Sequence, residues 1–100
     1  MARQPNTDQQ GRSFSHPTIL QVWQRGNTSP SYDPKIWRFD KCGHIMIFEQ
    51  YGNRNSNSGW EIDHINPVAN GGGDEIGNLQ PLFWGNNASK GDKLNWQCGQ

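Results

Sequence analysis

Two strand-like runs, separated by a glycine-rich link and followed at once by a helix signal, restrict the folds open to this chain more than any other feature. Residues 60–68 read as a strand that Pro67 interrupts, residues 70–74 carry three consecutive glycines, and residues 78–83 read as a second strand. Three glycines in a row demand a flexible or left-handed turn, because only a residue without a Cβ enters that backbone region freely. After Trp84 and Gly85, Asn86 and Asn87 are residues suited to cap a helix, whose body would run through Ala88, Ser89 and Lys90 to about Leu94. The order strand, loop, strand, helix defines an α+β unit with its core at residues 60–94.

The upstream chain reads as additions to that unit. Ile19, Leu20, Val22 and Trp23 fall on one side of a short helix over residues 17–25, with Pro17 tolerable in the first turn and Gly26 as a stop. Ile36, Trp37 and Phe39 and the apolar run 45–48 flank the polar stretch 40–43, which predicts a β-hairpin. Residues 51–59 form a polar excursion carrying Arg54. The first 16 residues show no apolar period and are expected to be a disordered or loose arm, leaving residues 17–100 as one domain.

Composition sets the scale of the core. A chain of 100 residues with 31% hydrophobic residues buries little, so five tryptophans must carry much of the packing. Nine basic and nine acidic residues balance to a formal charge of +0, so no global positive field marks a nucleic-acid binder. Arg54, Lys90 and Lys93 nevertheless bracket the central segment and are candidates for substrate contact. Cys42 and Cys98 are the only cysteines, too few for a four-thiolate zinc site; a reducing, intracellular setting with free thiols is the default, and a Cys42–Cys98 bridge is the lesser alternative. The N-terminus lacks the order of a signal peptide and no apolar run reaches membrane-spanning length, so the expected location is cytoplasmic.

Within residues 60–94 stand Asp63, His64, Asn78, Asn87 and Lys90. Each alone is ordinary: a surface histidine, a turn asparagine, a helix cap, a solvated lysine. Together they supply what phosphodiester hydrolysis needs, namely oxygen ligands for a hard cation and a neutral imidazole to take a proton from water. Adjacent residues on a regular strand point to opposite faces, so the strand is expected to break at Asp63 and His64, with Asn66 and Pro67 as the cause. Asn87 and Lys90, three apart on a helix, share a face. His16 and His44 match no such role, and Glu61 is a weak candidate for an outer-shell group.

The sequence Trp60-Glu61-Ile62-Asp63-His64-Ile65, with Gly71-Gly72, Asn78-Leu79-Gln80-Pro81-Leu82 and Asn86-Asn87-Ala88-Ser89-Lys90, resembles the HNH endonuclease family. Asn78 follows His64 by 14 positions and Asn87 follows Asn78 by 9. Residues 32–53, with Trp37, Asp40, Gly43 and the Tyr51-Gly52-Asn53 turn, resemble a bacterial and phage subgroup. The resemblance implies a ββα-metal fold, with Asp63 and Asn87 as metal ligands, His64 as general base, Asn78 holding the base region and hairpin loop, and Lys90 at the phosphate. Many members have His at the third motif position, and the Asn here favours Mg²⁺ or Mn²⁺ over zinc. The paired CxxC knuckles of part of the family are missing, so no structural zinc is expected and packing by Trp37, Trp60, Trp84 and Leu82 must serve instead.

The implied activity is a metal-dependent endonuclease in a bacterial or phage-infected cell, with DNA favoured over RNA and no membrane association. A protein partner would supply missing basic surface, and a homodimer would allow both strands to be cut. The alternative is a catalytically weak nucleic-acid-binding or assembly module of a larger phage or defence complex. A third reading, a secreted nuclease toxin, lacks the signal peptide it needs.

Overall fold

The computed structural model describes residues 3–99, so the first two residues of the expected arm and Gln100 lie outside it. Helix α1 spans His16–Trp23; Ser15 caps it by accepting the Thr18 N–H, and Pro17 sits in its first turn where a missing N–H costs nothing. Strands β1 (Trp37–Phe39) and β2 (Ile45–Ile47) pair antiparallel with Trp37 opposite Ile47, and Gly43 turns the chain at φ 81°. Strands β3 (Trp60–His64) and β4 (Leu79–Phe83) form a second antiparallel hairpin, and helix α2 (Trp84–Lys90) follows without a gap. The two hairpins and two helices make an α+β fold in the expected order.

Both faces of β3 are buried, which its sequence of alternating apolar and ionisable residues does not announce. Trp60 and Ile62 face the core with Val22 and Trp23 of α1, Met46 of β2 and Leu79 of β4. Glu61 and Asp63, on the other face, lie under α2. The aromatic packing differs from expectation in its members. Trp60 is central as expected, touching Trp23 at 5.1 Å and Tyr51 at 4.9 Å between ring centroids. Trp23 and Trp96 are the other buried tryptophans, whereas Trp37 and Trp84 are half-buried.

Helix α2 corrects the expected cap. It begins at Trp84, so Asn86 and Asn87 lie inside it and no side chain caps its start. Their amides are thereby free to reach other elements: Asn86 Nδ2 donates to Asp40 and Asn87 Nδ2 to Glu61. The helix ends at Lys90, short of Leu94, because Gly91 leaves helical geometry at φ 54° and ψ −129°.

Two tethers hold the turn of the first hairpin against the chain that follows it. The buried Asp40 carboxylate accepts four hydrogen bonds, from the N–H groups of Cys42, His44 and Phe83 and from Asn86 Nδ2. It thus ties the β1–β2 turn to the β4–α2 junction. The second tether is the bridge that the sequence ranks below free thiols: Cys42 and Cys98 are disulfide-bonded, with Cα atoms 5.5 Å apart, a separation that bridging requires and that spacing in sequence cannot reveal. The basis for expecting a reducing compartment is removed with it. Replacing both cysteines with serine is expected to lower stability by about 2–4 kcal/mol, since the bridge closes a long loop in the unfolded chain; urea unfolding with and without reductant measures it.

The N-terminal arm also departs from the loose segment expected. Thr7 bridges to Ser13, the Ile62 N–H on the outer edge of β3 donates to Asn6 Oδ1 at 2.8 Å, and the Gln9 N–H donates to both oxygens of Asp74. Composition misses this because the attachment is polar and no apolar period is needed to make it.

Candidate active site

The cleft of about 350 Å³ that borders β3 is lined by Asp63 and His64, by Asn87 and Ala88 of α2, by Arg54, and by arm residues from Arg3 to Thr7. His64 is buried, at 8% exposure, and its Nε2 lies 2.8 Å from Asp74 Oδ1. Asp63 is at 5% exposure; its carboxylate accepts from Gln80 Nε2 at 2.9 Å and pairs with Lys90 Nζ at 3.1 Å. Burial holds its carboxyl above the usual range, against the opposing pull of Gln80 and Lys90.

The expected break in the strand is absent. β3 pairs regularly with β4 through His64 opposite Leu79, so Asp63 and His64 do point to opposite faces. Both nevertheless border the same cleft, beside the edge of β3 that among the described residues carries no neighbouring strand at this end. Asp63 looks toward α2, and His64 toward Phe14 and the glycine loop.

That loop is built as its glycines imply. Gly71 adopts φ 89°, and a Cβ on Gly72 would collide with the Asn66 carbonyl. Asn78 closes it: its Oδ1 accepts the Asn66 N–H at 2.8 Å, and its Nδ2 donates to the carbonyls of Asn66 and Gly73 at 3.1 and 2.9 Å. One side chain therefore spans both ends of the turn that delivers Asp74 to His64.

The three basic residues named from the sequence take three different positions. Lys90, read as a phosphate contact, is at 3% exposure with its ammonium turned inward, donating to the His64 carbonyl at 3.0 Å and pairing with Asp63. Its length lets α2 reach the edge of β3. Arg54 lines the cleft but grips Glu61 through both Nε and Nη2, at 2.7 and 2.9 Å, and lies over the Trp84 ring. Lys93 is exposed and does not line the cleft. Glu61, a weak candidate from sequence, is at 1% exposure and joins Arg54 to Asn87. Asp74, in contact with His64, and Arg3, on the cleft lining, carry no signal in the sequence beyond their residue types.

The oxygen donors Asp63 and Asn87 border the cleft together, and Asn87 is held there by its amide nitrogen on Glu61. Among the described residues no group of three His, Cys, Asp or Glu side chains is placed to hold a metal ion. This donor set fits a hard divalent ion that keeps most of its waters and does not fit an all-protein cage.

The family model for the HNH endonuclease matches residues 48–93, a span that contains β3, β4, α2 and every one of the five motif residues singled out above. That match points to nuclease activity on nucleic acid in general terms. No curated protein and no solved structure matches this chain. Among the described residues no helix is long and apolar enough to cross a membrane.

Proposed function

We propose that this chain is an endonuclease of the Asn-bearing, bacterial and phage type that hydrolyses phosphodiester bonds of DNA, with His64 as general base. The observation that carries the reading is the meeting of a buried histidine, a buried carboxylate and an amide oxygen on one cleft within the matched segment. In this reading His64 takes a proton from water, the water oxygen forms a bond to phosphorus, and one ester P–O bond breaks with its electron pair leaving on oxygen. Asp63 and Asn87 would hold a Mg²⁺ or Mn²⁺ ion, which when bound supplies positive charge to the phosphate. Lys90 steadies Asp63 and the His64 backbone from beneath, and Asn78 fixes the loop.

The expected result is cleavage of supercoiled plasmid by the purified chain with Mg²⁺ or Mn²⁺, abolished by EDTA and restored by excess metal. Full activity in EDTA would remove the metal from the reading. One observation favours a second reading, a binding or assembly module of weak catalysis: Lys90 and Arg54 already neutralise Asp63 and Glu61, the two buried carboxylates under α2. DNA retention without metal-dependent cutting would select that reading, as would a protein partner that supplies basic surface. Cytoplasmic location no longer has the thiols in its support.

A further inference from the structure

The contact between His64 and Asp74 assigns a role to a residue outside the motif. An ionised carboxylate only accepts hydrogen bonds, so at 2.8 Å from Asp74 Oδ1 the His64 Nε2 must carry the proton. In the neutral imidazole that leaves the lone pair on Nδ1, the nitrogen then able to act as base. Asp74 is itself fixed from two sides. Its neighbour Gly73 is held by Asn78 Nδ2, and both its oxygens accept the Gln9 N–H, at 3.0 and 3.1 Å. The arm that carries Gln9 is anchored in turn by Asn6 on the Ile62 N–H, two residues before His64.

We propose that Asp74 is the positioning residue of His64, setting the tautomer and orientation of the imidazole, and that the N-terminal arm holds Asp74 in place. Asp74 does not line the cleft and acts through the imidazole alone. When Nδ1 takes the proton from water, the resulting imidazolium faces the Asp74 carboxylate, so the charge that develops has a partner already in position. The assignment rests on the nuclease reading for its catalytic part, while the tautomer itself does not depend on turnover.

The test uses the full chain in two measurements. Long-range ¹H–¹⁵N NMR at about pH 8, where an ordinary imidazole is neutral, is expected to show the Nε2–H tautomer of His64 dominant in the wild type and in Asp74→Asn, whose amide oxygen still accepts. A mixture of tautomers is expected in Asp74→Ala. Plasmid cleavage with Mg²⁺ is expected to show kcat lowered by about 10–100-fold in Asp74→Ala, on the scale of residues that orient a catalytic group, with KM unchanged and with partial recovery in Asp74→Asn. Asn6→Gly, which tolerates the left-handed φ of 59° at that position, is expected to cause a smaller loss in kcat. An unchanged tautomer in Asp74→Ala, or an effect confined to KM, would overturn the role of Asp74, and an unchanged kcat in Asn6→Gly would overturn that of the arm. If the wild type cuts no substrate, the nuclease reading fails while the tautomer still decides whether Asp74 positions His64.

Discussion

His64→Ala is expected to lose about 10²–10⁴-fold in the rate of DNA cleavage, the range that a positioned proton acceptor contributes, while remaining folded. Separation of these two effects is a consequence of where the ring sits. The imidazole lies at the end of β3, beyond the cluster of Val22, Trp23, Met46, Trp60, Ile62 and Leu79, and contacts Phe14 and Asp74 instead. Its removal leaves the Lys90 bond to the backbone carbonyl of residue 64 intact. Circular dichroism should therefore show wild-type secondary structure and filter binding should show retained affinity for DNA. His16→Ala is the appropriate control, since that histidine is exposed and remote from the cleft lining. Equal rates for His64→Ala and His16→Ala would mean that His64 is no base.

The second large effect is expected at Lys90. Lys90→Ala leaves the Asp63 carboxylate buried with Gln80 as its remaining partner, and loss of one member of a buried ion pair typically costs about 3–5 kcal/mol. Against the roughly 5–15 kcal/mol of a whole domain, that is enough to shift the urea midpoint visibly. The double variant Asp63→Asn with Lys90→Met removes both charges and is expected to recover most of the lost stability but no nuclease activity. A cost that stays with the double variant would mean that the stem of Lys90, rather than its charge, matters.

The pH dependence of this effect has a definite sign. Burial already raises the folded-state pKa of Asp63, and Lys90 is among the groups opposing that rise. Without Lys90 the folded value rises further above the unfolded one. A group raised in this way contributes its stability fully below its unfolded pKa and loses it as pH climbs through the folded value. The deficit of Lys90→Ala is therefore expected to be larger at about pH 7 than at about pH 4, where the carboxyl approaches its unfolded midpoint. Urea titrations of both proteins at the two pH values measure the difference.

Much of the architecture was legible before any coordinates. The hairpin around residues 40–43, the strands near residues 60 and 80, the glycine turn and the helix after it all depend on local backbone preferences, which short stretches of sequence carry. The role of Asn78 in holding the loop comes from the family resemblance rather than from backbone preference, and its contacts with Asn66 and Gly73 depend on the fold. The choice of Asp63, His64 and Asn87 as residues of one site came from their chemistry and spacing, and all three do line one cleft.

What the sequence by itself determined, then, was the order of elements and the chemistry gathered between residues 60 and 94. Tertiary structure alone decided which partner each polar group would meet. Lys90 reads in the sequence as a cation that meets the phosphate, and only the approach of α2 to the edge of β3 turns it inward onto Asp63. Cys42 and Cys98 pair because the Asp40 turn and the chain after α2 arrive at the same place. Asp74 stands beside His64 because a loop closed by Asn78 and an arm carrying Gln9 bring it there. Hydrogen bonds and ion pairs between distant segments leave no periodic trace in a sequence, since each needs only one residue on either side and the fold supplies the proximity.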